Sequence, residues 1–237
     1  MIGFVRKMIK RTGTPKYVCT PRTEDMVMAG LNQSTISFRQ IENPSIKVMQ
    51  TALMKDFRNI NVIKNPTEDI QVYAVNIHWS AISYIKNPCL DAQYAAVNQS
   101  VYAIRSLKHI DEDLALFAVR KYPDVLQYIP NPSHRVMLEA VERCGTTLQY
   151  IDKPAPDLVW GSLRDYPQAV KMLRLSTNKD ILQAIEINPW IVKYMSRLEP
   201  ELQQRAIMID PSVLKCFANP SKELVLLAQL MGYKEAC

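Results

Sequence analysis

NPTEDIQVYAVNIHWSAISYIK occupies residues 65–86, and NPSHRVMLEAVERCGTTLQYID occupies residues 131–152. Both open on Asn-Pro, both carry Ala-Val at their tenth and eleventh positions, and both end on Tyr-Ile followed by one polar residue. Their starts lie three lengths of 22 apart, and self-similarity at a fixed period marks a repeat architecture. Written in rows of 22 from Pro21, the chain forms nine full rows and a partial tenth without an insertion. The rows begin at positions 21, 43, 65, 87, 109, 131, 153, 175, 197 and 219.

The columns of this array carry the structural information. The tenth is always small: Gly30, Ala52, Ala74, Ala96, Ala118, Ala140, Ser162, Ala184, Ala206 and Ala228. The eleventh is aliphatic from Leu31 to Ile207 and ends on Gln229, in a row that no further row would cover. The eighteenth runs from Phe38 through Ile60, Ile82 and Ile104 to Leu214, apolar throughout. Apolar columns 6, 10 and 11 make one helical stripe. Column 5 is acidic in seven of ten rows, Asp69 and Asp91 among them, which suits the positive end of a helix dipole. Asn-Pro in columns 1–2 marks the helix start, where proline loses no intrahelical bond. Tyr122-Pro123, Asn188-Pro189 and Asp210-Pro211 break the helix near columns 14–15, and a second helix is expected to run to about column 21.

Such short helices are marginal alone and become stable by stacking on neighbouring rows. A small residue in column 10 lets the next backbone approach. The expected fold is therefore an all-α solenoid of about ten 22-residue helical hairpins over residues 21–237. Residues 1–20 form a basic N-terminal cap or arm.

Composition agrees. The chain has 237 residues, 48% of them apolar, and only six glycines, which argues against a β-rich or loop-rich protein. The five cysteines (Cys19, Cys89, Cys144, Cys216 and Cys237) are odd in number and show no Cys-x-x-Cys spacing. A disulfide framework or zinc site is not expected, and a cytoplasmic location is. Apolar runs fall short of the roughly 20 residues that a membrane span needs, and the N-terminus lacks the pattern of a secretory signal.

Ala95-Ala96-Val97, Cys144-Gly145 and Leu148-Gln149-Tyr150 resemble the short helical repeats of domain of unknown function 4116, found in bacterial, phage and large-virus proteins. The resemblance covers residues 21–237 and departs where Asn-Pro or Tyr-Pro replaces the family's Asn-Gly. The bacterial leucine-rich variant repeat is a more distant likeness. The resemblance implies an all-helical superhelix and no catalytic residues. It also points to a phage- or virus-encoded protein that engages a host factor in the host cytoplasm, including inhibition of a defence system.

No Walker loop, nucleophile elbow, HExxH or dinucleotide fingerprint occurs, so neither an enzyme nor a cofactor is expected. His78, His109 and His134 lack metal-ligand spacing and read as surface or capping residues. Column 19 is often basic, at Arg39, Arg105, Lys171, Lys193 and Lys215; column 22 adds Lys64, Lys86, Lys108 and Arg174. One column of a solenoid becomes one stripe. Two readings stay open: a track for phosphates or an acidic partner, or cations set against helix C-termini. Column 20 holds Tyr84, Tyr128, Tyr150 and Tyr194, read as packing between rows with hydroxyls at the rim.

The first twenty residues carry +5 of the formal +6, from Arg6, Lys7, Lys10, Arg11 and Lys16. With Phe4, Val5, Met8 and Ile9 between the charges, a basic amphipathic helix is one reading and a docked cap the other. The expected function is non-enzymatic binding of a protein. The alternative is nucleic-acid binding through the basic arm and column 19. Neutral Asn61, Ser83, Gln127 and Gln149 within column 19 favour protein.

Overall fold

In a computed structural model, residues 17–20 and 23–233 are described. Arg6, Lys7, Lys10 and Arg11 lie outside them. The fold is an all-α helical repeat of the solenoid class, with ten α-helices and nine 3₁₀ helices in alternation among the described residues. The α-helices are α1 (Glu24–Asn32), α2 (Ile46–Lys55), α3 (Glu68–Ile77), α4 (Leu90–Gln99), α5 (Glu112–Lys121), α6 (His134–Arg143), α7 (Pro156–Ser162), α8 (Asn178–Ile187), α9 (Pro200–Ile209) and α10 (Lys222–Leu230). Every one begins at column 4. Two short strands, β1 (Tyr17–Val18) and β2 (Ile41–Glu42), pair in parallel. They tie residues 17–20 to the first row.

The chain divides into two compact units, residues 1–114 and 115–237. In the first, α1 through α4 pack in succession. In the second, α6 packs on α7, α8 on α9 and α9 on α10, while the 3₁₀ helices of rows 7, 8 and 9 pack side by side.

The helix start differs from the expected one. The Asn-Pro prolines do not enter the helix; column 3 is the N-cap. Ser45, Ser133, Thr177 and Ser221 each accept from a backbone N–H three residues on, at 3.2–3.3 Å. Asp111 accepts from Leu114 at 2.7 Å. Such caps satisfy N–H groups that the helix leaves open. Three of the column 1 asparagines have their own reason: Asn43, Asn65 and Asn131 are left-handed, with φ of 49–50°, and asparagine enters that region more readily than other side-chain-bearing residues. Lys153 takes the same conformation, φ 52°, without that advantage.

The second element also differs. It is a 3₁₀ helix over columns 15–20, for example Trp79–Tyr84 and Pro189–Tyr194, rather than a helix reaching column 21. Its prolines, Pro123, Pro167, Pro189 and Pro211, stand at its start. Column 14 joins the two helices. Its backbone N–H donates to the column 10 carbonyl at 2.8–3.2 Å from Asp56 through Asp210. In four rows its side chain then caps the 3₁₀ helix: Asp56, His78, Asn188 and Asp210 accept from the N–H two residues on.

The core follows the columns. Column 10 residues from Ala52 to Ala228 are at most 1% exposed, and columns 11 and 18 are buried apart from Gln229. Column 17 joins them, with Ala81, Ala103, Ile191 and Val213 at 0%. A 3₁₀ helix advances three residues per turn, so columns 15 and 18 share one line and columns 16 and 19 another. The first faces the core, and the second faces outward.

Polar side chains stitch successive rows. Lys55 in column 13 donates to the carbonyls of Leu31 and Asn32 at the end of α1. Gln99 donates to Val75 at 2.8 Å, and Asn188 donates to Leu163 and Arg164. The open C-terminal carbonyls of one α-helix are thus met by the next row. Column 7 glutamines Gln71, Gln93 and Gln203 close the column 2 carbonyls at 2.7–3.0 Å. Among the described residues no buried side-chain nitrogen or oxygen lacks a partner.

Candidate functional site

Two exposed surfaces differ in how they handle charge. On the outer surface of the α-helices two carboxylates pair with arginines of adjacent rows. In the second unit Arg120 meets Glu139 at 3.1 Å and Glu186 meets Arg205 at 3.0 Å, and a hydrogen bond of 2.7 Å joins His134 Nε2 and Asp157 Oδ2. Glu139 also takes Arg143 at 2.6 Å. The hydrogen bonds from Arg120 and Arg143 hold its carboxyl below the ordinary glutamate value.

In rows 7–9 the outward line of the 3₁₀ helices does not do this. Every column 19 residue from Arg39 to Lys215 is exposed. In rows 7, 8 and 9 the column reads Lys171, Lys193 and Lys215, on three 3₁₀ helices that pack side by side. Among the described residues none of these lysines has a carboxylate within 4.0 Å. They lean instead on aromatic faces. Lys171 Nζ lies 5.2 Å and Lys193 Nζ 5.9 Å from the Tyr194 ring, and Lys215 Nζ lies 4.6 Å from the Trp190 ring. Each such contact at an exposed site contributes about 0.5–1 kcal/mol. It steers the ammonium without neutralising it.

The setting of Trp190 is firm. Its Nε1 donates to Asp210 Oδ2 at 2.9 Å, and the backbone N–H of Ser212 donates to Asp210 Oδ1 at 2.9 Å. Burial raises the Asp210 carboxyl. The hydrogen bonds from Ser212 and Trp190 and the charge of Lys215 outweigh it, leaving Asp210 below its ordinary value of 3.8. Burial also pushes the Cys216 thiol up, against the pull of Lys193 and Lys215. That sulfur stays protonated at neutral pH.

Beside the lysine line runs a shallow groove where each 3₁₀ helix ends and the loop to the next row begins. Between rows 7 and 9 it has two compartments, of about 360 and 230 Å³, which share Leu173 and Leu175. Met172 and Met195 add apolar walls, and Arg174 and Arg197 stand at the edges. The same loop position in the first unit holds a cavity of about 470 Å³ of another character. Lys86, Lys108 and His109 line it with Ser83, Ser106 and Asn87.

The structure therefore brings together Lys171, Lys193 and Lys215 and keeps Arg39 and Arg105 apart, with neutral Asn61 and Ser83 in the intervening rows. Lys171, Lys193 and Lys215 each stand in the last turn of their 3₁₀ helix, where the helix-end reading of column 19 puts them. The α-helix ends are met by other residues, among them Lys55, Gln99 and Asn188. Of the tyrosines, Tyr194 and Tyr128 are half-buried, while Tyr84 and Tyr150 are exposed. The three tryptophans form no shared platform, yet Trp190 supports Lys215. His78 caps a 3₁₀ helix and stacks on Phe57 with ring centres 4.7 Å apart. Among the described residues no group of His, Cys, Asp and Glu could hold a metal, and no helix is long and apolar enough to cross a membrane.

Comparison with protein-family models, with curated proteins and with solved structures gave no match.

Proposed function

We propose that this chain is a non-enzymatic repeat protein that binds another protein, and that the outward line of its 3₁₀ helices in rows 7–9 makes the contact. One observation carries the reading. Glu139 and Glu186 on the α-helical surface are paired with arginines of adjacent rows, whereas Lys171, Lys193 and Lys215 stand on 3₁₀ helices packed side by side with no carboxylate within 4.0 Å, Asp210 being near enough to Lys215 only to feel its charge. Unneutralised charge on a fixed frame speeds encounter with an opposite surface and sets its register. The resemblance of the repeats to domain of unknown function 4116 extends the proposal to a phage- or virus-encoded protein acting on a host factor in the host cytoplasm, a defence component included.

Nucleic-acid binding is the second reading. Lys64, Lys86 and Lys108 follow one another in column 22 of the first unit, and the first twenty residues hold five cations. Against it, columns 19 and 22 carry no cation in rows 5 and 6, where Gln127, Pro130, Gln149 and Asp152 stand. A backbone-tracking site depends on unbroken cation contacts.

The test is affinity capture from the cells in which the protein acts, with and without nuclease. The Lys171→Glu/Lys193→Glu/Lys215→Glu variant serves as control. A specific partner retained after nuclease treatment and lost with the variant is expected. Loss on nuclease treatment moves the assignment to nucleic acid, and retention by the variant moves the site elsewhere.

A further inference from the structure

We infer that the cavity between rows 3 and 4 binds a phosphate monoester. The site lies in the first unit and does not rest on the protein-binding reading above. Two 3₁₀ helices, Trp79–Tyr84 and Val101–Ser106, pack side by side and end in loops of one form. The backbone N–H of Ile85 donates to Ile82 and that of Leu107 to Ile104, each at 3.2 Å. Ile85 is buried and Leu107 half-buried, so both loops are anchored. The lysine after each anchor, Lys86 and Lys108, is exposed and lines one shared cavity of about 470 Å³. That volume falls within the range of small-molecule sites, about 300–1,000 Å³.

Charge and donor type select the ligand class. Lys86 and Lys108 bring two positive charges, and no carboxylate lines the cavity. The cavity beside Lys64 is lined by Glu42, and the compartment beside Arg174 by Asp180. Asp111, two residues beyond His109, caps α5 and is absent from the lining. Among the described residues neither lysine has a carboxylate within 4.0 Å. Ser106, Asn87 and His109 add a hydroxyl, an amide and an imidazole to the same walls. Ser83 lines it too, but its hydroxyl already donates to the Ser80 carbonyl at 2.7 Å. A phosphate monoester carries about −1.5 to −2 charges near neutral pH on three acceptor oxygens. Two ammonium groups balance that charge, and the uncharged donors serve the remaining lone pairs. A phosphodiester or a carboxylate brings about one negative charge and leaves one ammonium unmatched. Ile85, Pro88 and Leu107 complete the lining and offer contact to the carbon part of the ester.

Titration of the isotope-labelled full chain, followed by nuclear magnetic resonance in phosphate-free buffer, tests this. The probes are inorganic phosphate, a nucleoside monophosphate, a phosphoserine peptide, dimethyl phosphate, acetate and a single-stranded oligothymidylate. Amide signals of Lys86, Asn87, Lys108 and His109 should shift with inorganic phosphate and with a monoester, less so as salt rises. The tighter of the nucleotide and the phosphopeptide identifies whether the phosphate arrives free or on a protein. Dimethyl phosphate and acetate should bind roughly two- to fivefold more weakly, as expected for one lost exposed pair. Lys86→Gln and Lys108→Gln should each weaken phosphate binding by the same factor, and together roughly tenfold. Lys179→Gln in α8 should change nothing. Both cavity lysines are exposed, so signals away from the cavity should match those of the parent. Equal binding of dimethyl phosphate overturns the charge match. Shifts elsewhere in the chain, or unchanged binding by the double variant, overturn the location. Tighter binding of the oligothymidylate overturns the monoester class, and no shift with inorganic phosphate or either monoester overturns the inference as a whole. The protein-binding reading stands or falls separately, on whether the capture described above depends on Lys171, Lys193 and Lys215.

Discussion

Gly145 and Gly161 lie in neighbouring rows and should respond to the same substitution with opposite sign. Gly145 starts the 3₁₀ helix of row 6. A Cβ placed there would sit 2.4 Å from the carbonyl oxygen of Ser162 and 3.2 Å from its Cα. Those atoms belong to the end of α7 and cannot swing aside as a side-chain tip would. Gly145→Ala must push a backbone segment away from its neighbour, an overpacking that costs about 1–3 kcal/mol. Gly161 lies within α7, and a Cβ there would meet Val141 at 3.8 Å and Glu142 at 3.9 Å, ordinary contact distances. Gly161→Ala removes backbone freedom from the unfolded chain and should stabilise by about 0.4–1 kcal/mol. For a chain of this size each kcal/mol moves the thermal midpoint by roughly 2–4 °C. Thermal and urea melts of the two variants should therefore bracket the parent protein. Equal midpoints, or a stabilised Gly145→Ala protein, would refute the close approach on which the stacking account rests.

Three further outcomes follow from named contacts. Ala118 is fully buried in column 10, and Ala118→Leu should cost about 1–3 kcal/mol in a urea melt. Lys153→Asn should raise stability by up to about 1 kcal/mol, because the left-handed conformation penalises lysine and suits asparagine; its thermal midpoint should rise while far-ultraviolet circular dichroism stays unchanged. Asp210 has a lowered pKa, so its contribution to stability is present above 3.8 and is lost as pH falls through its folded value. The stability gap between Asp210→Asn and the parent should be open at pH 7 and close in acid, with Trp190 fluorescence tracking the loss of the indole hydrogen bond.

The packing columns were legible because burial repeats with the period. A small tenth position and apolar eleventh and eighteenth positions recur in nearly every row, and each such position is buried. The second helix was legible as an element but not as 3₁₀. Six residues between breaks hold too few turns to separate a period of 3.0 from one of 3.6. Ser45, Ser133 and Ser221 in column 3 carried the capping signal, but the adjacent Asn-Pro drew the helix boundary too early. The exposure of column 19 followed from its polarity. What could not be read was which cations are already neutralised. Glu139 sits between Arg120 and Arg143 across two rows, and Trp190 is brought to Lys215 across two more. Such pairings depend on how one row lies on the next, which the column pattern of a single row does not specify.

The most direct test of the account asks which surface the partner touches. A photo-crosslinking residue is placed at Gln168, on the outward line of the row 7 3₁₀ helix, and separately at Gln204 on the exposed side of α9. Each protein is irradiated in the lysate from which the partner is captured. Adducts with the partner from position 168 and none from position 204 are predicted. Adducts from position 204 alone would contradict the assignment of the 3₁₀ surface as the binding face.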